Sequence, residues 1–414
     1  MLLRLLLLMS LCLIPVTLIT TPLPAYAAVE VDEDDEDDED DYDSPAIRRP
    51  VAQPQVDDWV QKDSERIAVD QNVINRPWRK VPFDPRHFDI PEEQLQARWP
   101  QLMRGLLLPY PSPEYLEKRL NAYPELMEEL GPEFAANPDY QALSKNILTA
   151  WRYFFRGDFR AAKDHGMKYG AFGKVPAYFS QIIYAVYLSD KVSEKHQLLQ
   201  DVADQVVSYV RILRDLKDNP EFHEDYMMMR LGYAYAIARI AEEVSPAVAI
   251  GRNYLFKISG AANDVLDVHE DHPVGLAFQA GIDANLIRVV GKAVGRITFG
   301  ARQSRARDYF ERSFEKVDDM AIVYYEFGNA LLYINKARDE AEIIAAMEQA
   351  MNTPPTFAME ALDSIYAAKR LKEVQDFLRY GRSFRSYERQ RRNYIRRTDA
   401  NPYNVLTDPI LLSR

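Results

Sequence analysis

From residue 139 onward nearly every stretch of this chain repeats its apolar side chains at steps of three and four, and none alternates apolar with polar residues as a half-buried strand does. A 3.6-residue period puts one stripe of side chains on one helix face, so a body built this way buries helix against helix. The spacing predicts helices over 140–156, 159–168, 175–188, 194–216, 224–243, 246–267, 273–290, 304–316, 321–333, 338–351, 356–368 and 371–397. Upstream, Leu95, Trp99, Leu102 and Leu106 share a face, and Ser112-Pro113-Glu114 opens a second helix with an N-cap and a proline at the first helical position. The fold class expected is all-α.

Charge and proline divide the chain. Of its 63 Asp plus Glu, twelve lie between Glu30 and Asp43, and 17 of the 25 prolines lie at or before Pro138. Without that run and the single Arg4 of the first residues, 50 basic face 51 acidic residues, so the net charge of −12 belongs to a tail and the body is close to neutral. Residues 28–90 read as an acidic, Pro-rich disordered linker, because they lack sustained apolar periodicity. The acidic run also lacks the spaced ligands and glycine of a calcium loop. The expected layout continues with N-terminal helices over 91–138, a helical array over 139–370, a basic amphipathic helix over 371–398 and a tail over 399–414.

Residues 1–27 carry one charge, an apolar run from Leu5 to Ile14 and the small-x-small triplet Ala25-Tyr26-Ala27. That is the layout of a secretory signal peptide, and Pro15 and Pro22 interrupt the run short of a membrane span. Cys12 is the only cysteine and lies inside the segment to be removed. The mature chain would then have no disulfide, thiol nucleophile or thiolate metal site, which suits a full-sized domain exported to a bacterial periplasm.

Internal repetition is partial. Ala150, Tyr153, Gly157, Phe159 and Ala162 form one unit, and Leu231, Gly232 and Tyr235 echo it. A third unit runs through Ala306, Phe310, Ser313, Phe327, Gly328, Leu331, Ala341, Ala345 and Pro354, with Ala306 and Ala341 separated by 35 residues. This spacing resembles the tetratricopeptide repeat (TPR), whose period is about 34. The steps from Ala150 to Gly232 (82) and from Gly232 to Gly328 (96) are not multiples of it, so the array is divergent. The resemblance covers about residues 139–370 and implies a TPR-like α-solenoid of antiparallel helix pairs with a groove that binds proteins or peptides. The organisation is also similar to the TPR accessory subunits of periplasmic TRAP transporters, which would imply a ligand-binding role.

Candidate chemistry is sparse. Gly291-Lys292-Ala293-Val294-Gly295-Arg296 lacks the Gly-Lys-Ser/Thr of a phosphate loop and reads as a close turn or hinge. His269-Glu270-Asp271-His272 spaces its histidines at i and i+3, not the i and i+4 of a metalloprotease helix, and reads as an exposed polar corner. No Gly-x-Ser-x-Gly occurs, and the sequence points to no catalytic residue, cofactor or metal. Met227-Met228-Met229 with Tyr226, Tyr233 and Tyr235 reads as helix core or as an adaptable apolar surface. Tyr153, Tyr233, Tyr324 and Tyr325 are the aromatic candidates for facing a groove.

The segment after Leu371 has the sharpest charge pattern. Arg379, Arg382, Arg385, Arg389, Arg391, Arg392, Arg396 and Arg397 surround Glu388, and Phe377, Tyr380, Phe384, Tyr387 and Tyr394 form a stripe. Two readings stand: a cap that buries its aromatics on the last repeat, or a contact element in which Arg385, Arg389 and Arg392 meet an acidic partner, anionic lipid or the chain's own acidic run. Export and the acidic tail argue against nucleic acid. The function expected is that of a non-enzymatic periplasmic interaction protein; the transporter subunit is the alternative, and an envelope hydrolase, which would need a deep cleft with paired acids or a metal, comes third. If the acidic run pairs with this helix, deleting Glu30–Asp43 at low salt increases the helix's exposure to a soluble probe, an effect that salt removes; unchanged exposure rules the pairing out.

Overall fold

A computed structural model describes residues 67–213, 223–245, 248–249, 252–335, 339–379 and 383–411. The expected signal peptide and the run Glu30–Asp43 lie outside the described residues. No strand occurs among those described; the fold is all-α. Numbered in chain order, the longer helices are α1 Glu92–Leu102, α2 Pro113–Ala122, α3 Pro124–Glu128, α4 Pro132–Ala136, α5 Tyr140–Arg156, α6 Phe159–Gly166, α7 Gly170–Tyr187 and α8 Val192–Leu213. They continue as α9 His223–Ala241, α10 Tyr254–Val268, α11 Pro273–Val290, α12 Gln303–Lys316, α13 Ala321–Asn335, α14 Glu340–Asn352, α15 Ala358–Arg379 and α16 Phe384–Thr398. None of them is long and apolar enough to cross a membrane.

Sequence neighbours pack on one another in turn: α5 on α6, α6 on α7, α8 on α9, α9 on α10, α11 on α12, α13 on α14 and α14 on α15. This stack of adjacent helix pairs is that of a helical solenoid. Local signals start and stop the helices. Ser112 accepts a hydrogen bond from the Tyr115 amide at the start of α2, and Asp139 accepts one from Ala142 at the start of α5. Gly157, with φ +90°, ends α5 in the left-handed conformation. A Cβ there would lie 3.0 Å from Val81 and 3.1 Å from Ala358, so this turn is also a packing point.

That packing point corrects one expectation. Residues 67–90 belong to the folded body, not to a linker: Ile74, Val81 and Ile90 are in the core, and Trp78 stacks on Tyr184 at 4.4 Å. Their apolar side chains are too few for a periodic signal yet enough to coat helices already formed. The array also closes on itself, since α15 packs on α5 and α7. Phe357, just before α15, lies 5.9 Å from Phe154 and 5.4 Å from Phe155. An open solenoid would keep such contacts between sequence neighbours.

The end of the chain differs most from expectation. The segment over 371–398 divides into the second half of the 22-residue α15 and a separate α16, and residues 399–411 pack as a strap, not a free tail. The Asn401 side-chain amide donates to the carbonyls of Ala185, Val186 and Ser189 at 2.9–3.3 Å. The Val405 amide donates to Tyr187 O, and Lys369 donates to Asn404 O. These bonds tie the strap to α7 and α15.

The repeat positions fare unevenly. Ala150, Phe159, Ala162, Ala306, Phe310, Ser313, Gly328 and Leu331 are buried, and a Cβ on Gly328 would come within 2.9 Å of Met347. Ala341 and Ala345 are exposed, because α14 turns Ile343, Met347 and Ala350 inward instead. Gly232 makes no close approach: nothing lies within 4 Å of a Cβ placed there. The closest crossing is between α6 and α7, where a Cβ on Gly173 would meet the Gly166 carbonyl at 2.5 Å. Gly173→Ala should therefore lower stability by about 1–3 kcal/mol, whereas Gly232→Ala within α9 should raise it by up to about 1 kcal/mol; thermal denaturation of the two variants checks both signs.

Candidate functional site

Where α7, α9, α13, α15 and the strap converge, the interior is polar. Tyr187 donates to Asp363 Oδ1 at 2.6 Å, and its hydroxyl oxygen lies 2.9 Å from that of Tyr325. Arg239 reaches Tyr325 at 3.3 Å, pairs with Glu326, and donates to Glu242 at 2.9 Å and to Tyr403 at 3.0 Å. Tyr403 in turn donates to Glu242 at 2.6 Å. One face of its ring stacks on Tyr366 at 4.8 Å, and Arg239 and Lys195 both lie within 5 Å of the ring centre. Lys195 donates to Glu243 at 2.5 Å.

Helical register builds this cluster. Tyr235 and Arg239 are one turn apart on α9, so the guanidinium sits 4.9 Å from the Tyr235 ring and points across to Tyr325 and Glu326 on α13. Asp363 and Tyr366 are likewise one turn apart on the inner face of α15. Burial governs the electrostatics. It pushes the Asp363 carboxyl up to about 8, and the Tyr187 hydrogen bond and Arg239 only partly oppose it. The second carboxyl oxygen of Asp363 has no hydrogen-bond partner, as suits a neutral acid. Burial lowers Lys195, while Glu243 is held below the usual range, despite its own burial, by Lys195 and His196.

A second polar knot lies between α13, α15 and α16. Arg370 donates to Asn329 at 3.0 Å, to Glu373 at 2.9 Å and to Tyr387 at 2.9 Å. Glu373 also accepts from the Ile410 amide at 3.2 Å, which ties in the end of the strap. Both knots pair cations with carboxylates and phenols inside the helix stack. Their geometry is that of structural ties.

The sequence candidates are scattered. Tyr325 is in the buried network, and Tyr233 is buried in the core; neither faces a groove. Tyr153 is half-buried, with its ring edge toward His165 and Arg156 4.8 Å from its centre. Tyr324 stacks on Phe314 at 4.7 Å and donates to Asp318 O. Arg389 is exposed, Arg392 pairs with Glu388 at 3.3 Å, and the Arg385 side chain lies outside the described residues, as do Tyr380 and Arg382. The methionine run is core: Met227, Met228 and Met229 are all buried. Met228 and Met229 border an apolar cavity of about 20 Å³ with Tyr178, Phe179, Val202 and Gly232, room for about one water-sized molecule.

The polar corner is not exposed at His272, which is buried and accepts a hydrogen bond from the Gly275 amide as the N-cap of α11. Burial lowers its imidazole to about 4, so it stays neutral and able to cap. Asp271 is held below the usual carboxylate range by Arg312 and Lys316. Among the described residues no group of three His, Cys, Asp or Glu is placed to hold a metal ion.

Sequence reasoning missed Arg239, Asp363, Tyr187 and Tyr403. The detectable signal was an arginine or aspartate standing in the apolar register of a helix; its partners, up to 176 residues away, carried none. No protein-family model, no curated protein and no solved structure matches this chain.

Asp363 yields a signed prediction. Its folded value, about 8, lies above the ordinary value of 3.8, so between pH 4 and 8 the folded state holds a proton that the unfolded chain releases. The contribution of this group to stability therefore falls as pH rises through that window. Asp363→Asn should flatten the fall and leave the protein more stable than wild type at pH 8, as thermal melts across pH 4–8 would reveal.

Proposed function

We propose that this chain is a non-enzymatic interaction protein of the bacterial periplasm or cell envelope, a divergent TPR-like scaffold that binds an acidic protein or peptide. The observation that carries this reading is the division of labour on α16. Its aromatic side is spent on the core: Tyr387 is buried against Phe377 at 5.0 Å, and Phe384 packs on the same cluster. Its outer side presents Arg389, Arg396 and Arg397, exposed and without an ion pair among the described residues. A terminal helix that caps an array needs a polar outer face, but not one of a single sign. Unpaired arginines suit recognition of carboxylates, which a planar guanidinium can bind through two parallel hydrogen bonds.

The buried network supports the same reading, because charges paired within the stack hold helices together and leave the surface for recognition. The signal-peptide layout of residues 1–27 supports the location. The second reading, a ligand-binding accessory subunit of a TRAP-type transporter, needs more room than the apolar cavity between α7, α8 and α9 offers, which holds about one water-sized molecule.

Native mass spectrometry of the protein taken from its own envelope fraction separates the two. An added mass that matches a polypeptide, lost in Arg389→Glu/Arg396→Glu, is the expected outcome. An added mass of a few hundred daltons that survives this double substitution would replace the scaffold with the transporter reading.

A further inference from the structure

Between α11 and α12 runs a short connection in which Val294 and Ile297 face solvent, next to Val289 at the end of α11. Ile297 is 82% exposed, the most exposed large apolar side chain among the described residues, and Val289 and Val294 are 49% and 39% exposed. Three of the eight large exposed apolar side chains thus fall within nine residues. Single exposed apolar residues need no explanation, but a cluster at a protruding turn does.

The backbone shapes this turn. Gly291 at φ +83° and Gly300 at φ +69° bracket it, a conformation that side-chain-bearing residues rarely adopt. Between them a single helical turn, Lys292–Val294, runs into a π-helical turn, Gly295–Phe299. The inner side is anchored: Gly295 is buried, and its amide and carbonyl bond to Gly291 O and the Ala301 amide. The outer side carries Ile297.

Charge identifies what the turn can meet. Residues 284–307 contain Arg288, Lys292, Arg296, Arg302, Arg305 and Arg307 and no acid. Arg288, Arg305 and Arg307 are used inside the protein, on Glu388, Asp283, and Asp339 with Glu342. Lys292, Arg296 and Arg302 are exposed and make no ion pair among the described residues. The acids packed beside it are already committed: Asp283 to Arg305 and the Arg302 backbone, and Glu388 to Arg288 and Arg392. The tip is therefore apolar and cationic together, and it requires a partner that is apolar and anionic together.

We propose that the 289–302 connection is a membrane-docking tip, which seats Val289, Val294 and Ile297 in the interface of an anionic lipid bilayer while Lys292, Arg296 and Arg302 meet its headgroups. Bilayer surfaces combine these two properties, and peripheral proteins bind them by adding apolar insertion to attraction between cations and acidic lipids. The chain's own acidic run is a poorer occupant, because Glu30–Asp43 offers twelve carboxylates but only Val31 and Tyr42 as sizeable apolar side chains. This assignment is independent of the acidic-peptide partner proposed for α16. It would place the scaffold against a membrane face of the envelope.

The test is local to the tip, so the apolar N-terminal residues cannot imitate it. In full-length protein carrying Ile297→Trp, the emission difference from wild type is recorded with phosphatidylglycerol vesicles, with phosphatidylcholine vesicles and with a peptide of residues 30–43. The expected result is a blue shift, quenched by brominated acyl chains, with phosphatidylglycerol vesicles alone. Adding Lys292→Glu/Arg296→Glu should weaken that partition by at least about tenfold, and raised salt should weaken it too. Wild-type protein in vesicle flotation, compared with Ile297→Ser, gives a second readout that needs no added indole, with retention on phosphatidylglycerol reduced in the variant. No shift with any vesicle, an equal shift with both lipids, or a shift with the peptide in place of lipid would each overturn the proposal.

Discussion

Arg239 is the constraint around which the helices are arranged. A guanidinium this far inside a helix stack has lost its water, and in low dielectric it is tolerated only when carboxylates and hydroxyls surround it. Those four partners come from three places: Glu242 from its own helix end, Glu326 and Tyr325 from α13, and Tyr403 from the strap. Any arrangement of the stack that moved α13 or the strap away would leave a buried charge unpaired, at a cost of about 3–5 kcal/mol. The network thus selects one packing among the many that amphipathic helices would accept. Burial raises the proton affinity of Arg239's acidic neighbour Asp363, which is the same low dielectric seen from the carboxylate's side.

The closure of the array follows from that requirement. A solenoid of helix pairs has two free ends and a continuous inner face. Here α15 returns to α5 and α7, and the strap crosses α7 to complete the shell around Arg239, Lys195 and Glu243. Of the tyrosines expected to face a groove, Tyr325 is instead an interior hydrogen-bond partner, of Tyr187. Both contact surfaces proposed above lie on the outside: the basic flank of α16 and the apolar, cationic tip between α11 and α12. The two are neighbours in the fold through the Arg288–Glu388 pair at 3.0 Å.

Much of the architecture was legible in the sequence. Helix type, most helix positions and the small residues at Ala150, Gly157, Ala162, Ala306 and Gly328 could be read because they depend on local periodicity and on the size of single side chains. Ala341 and Ala345 misled, since alanine suits either face of a helix and only the neighbouring Ile343 and Met347 decide the register. The glycine-rich stretch is legible as a turn, but nothing in the sequence marks Ile297 as solvent-facing. Tyr153, Tyr233, Tyr324 and Tyr325 were chosen by type, and type does not separate an aromatic residue lining a surface from one filling a core.

The amino-acid sequence by itself determined that this body is helical, roughly where most of its helices lie, and that its charge excess resides in an acidic segment ahead of the folded part. Those properties follow from steps of a few residues along the chain. Tertiary structure alone decided that residues 67–90 and 399–411 join the body, that α15 closes the array, and that Arg239, Asp363, Tyr187 and Tyr403 meet. These contacts join residues as much as 216 positions apart and more, and their free energy comes from burial and from pairing polar groups away from water, which local sequence does not encode.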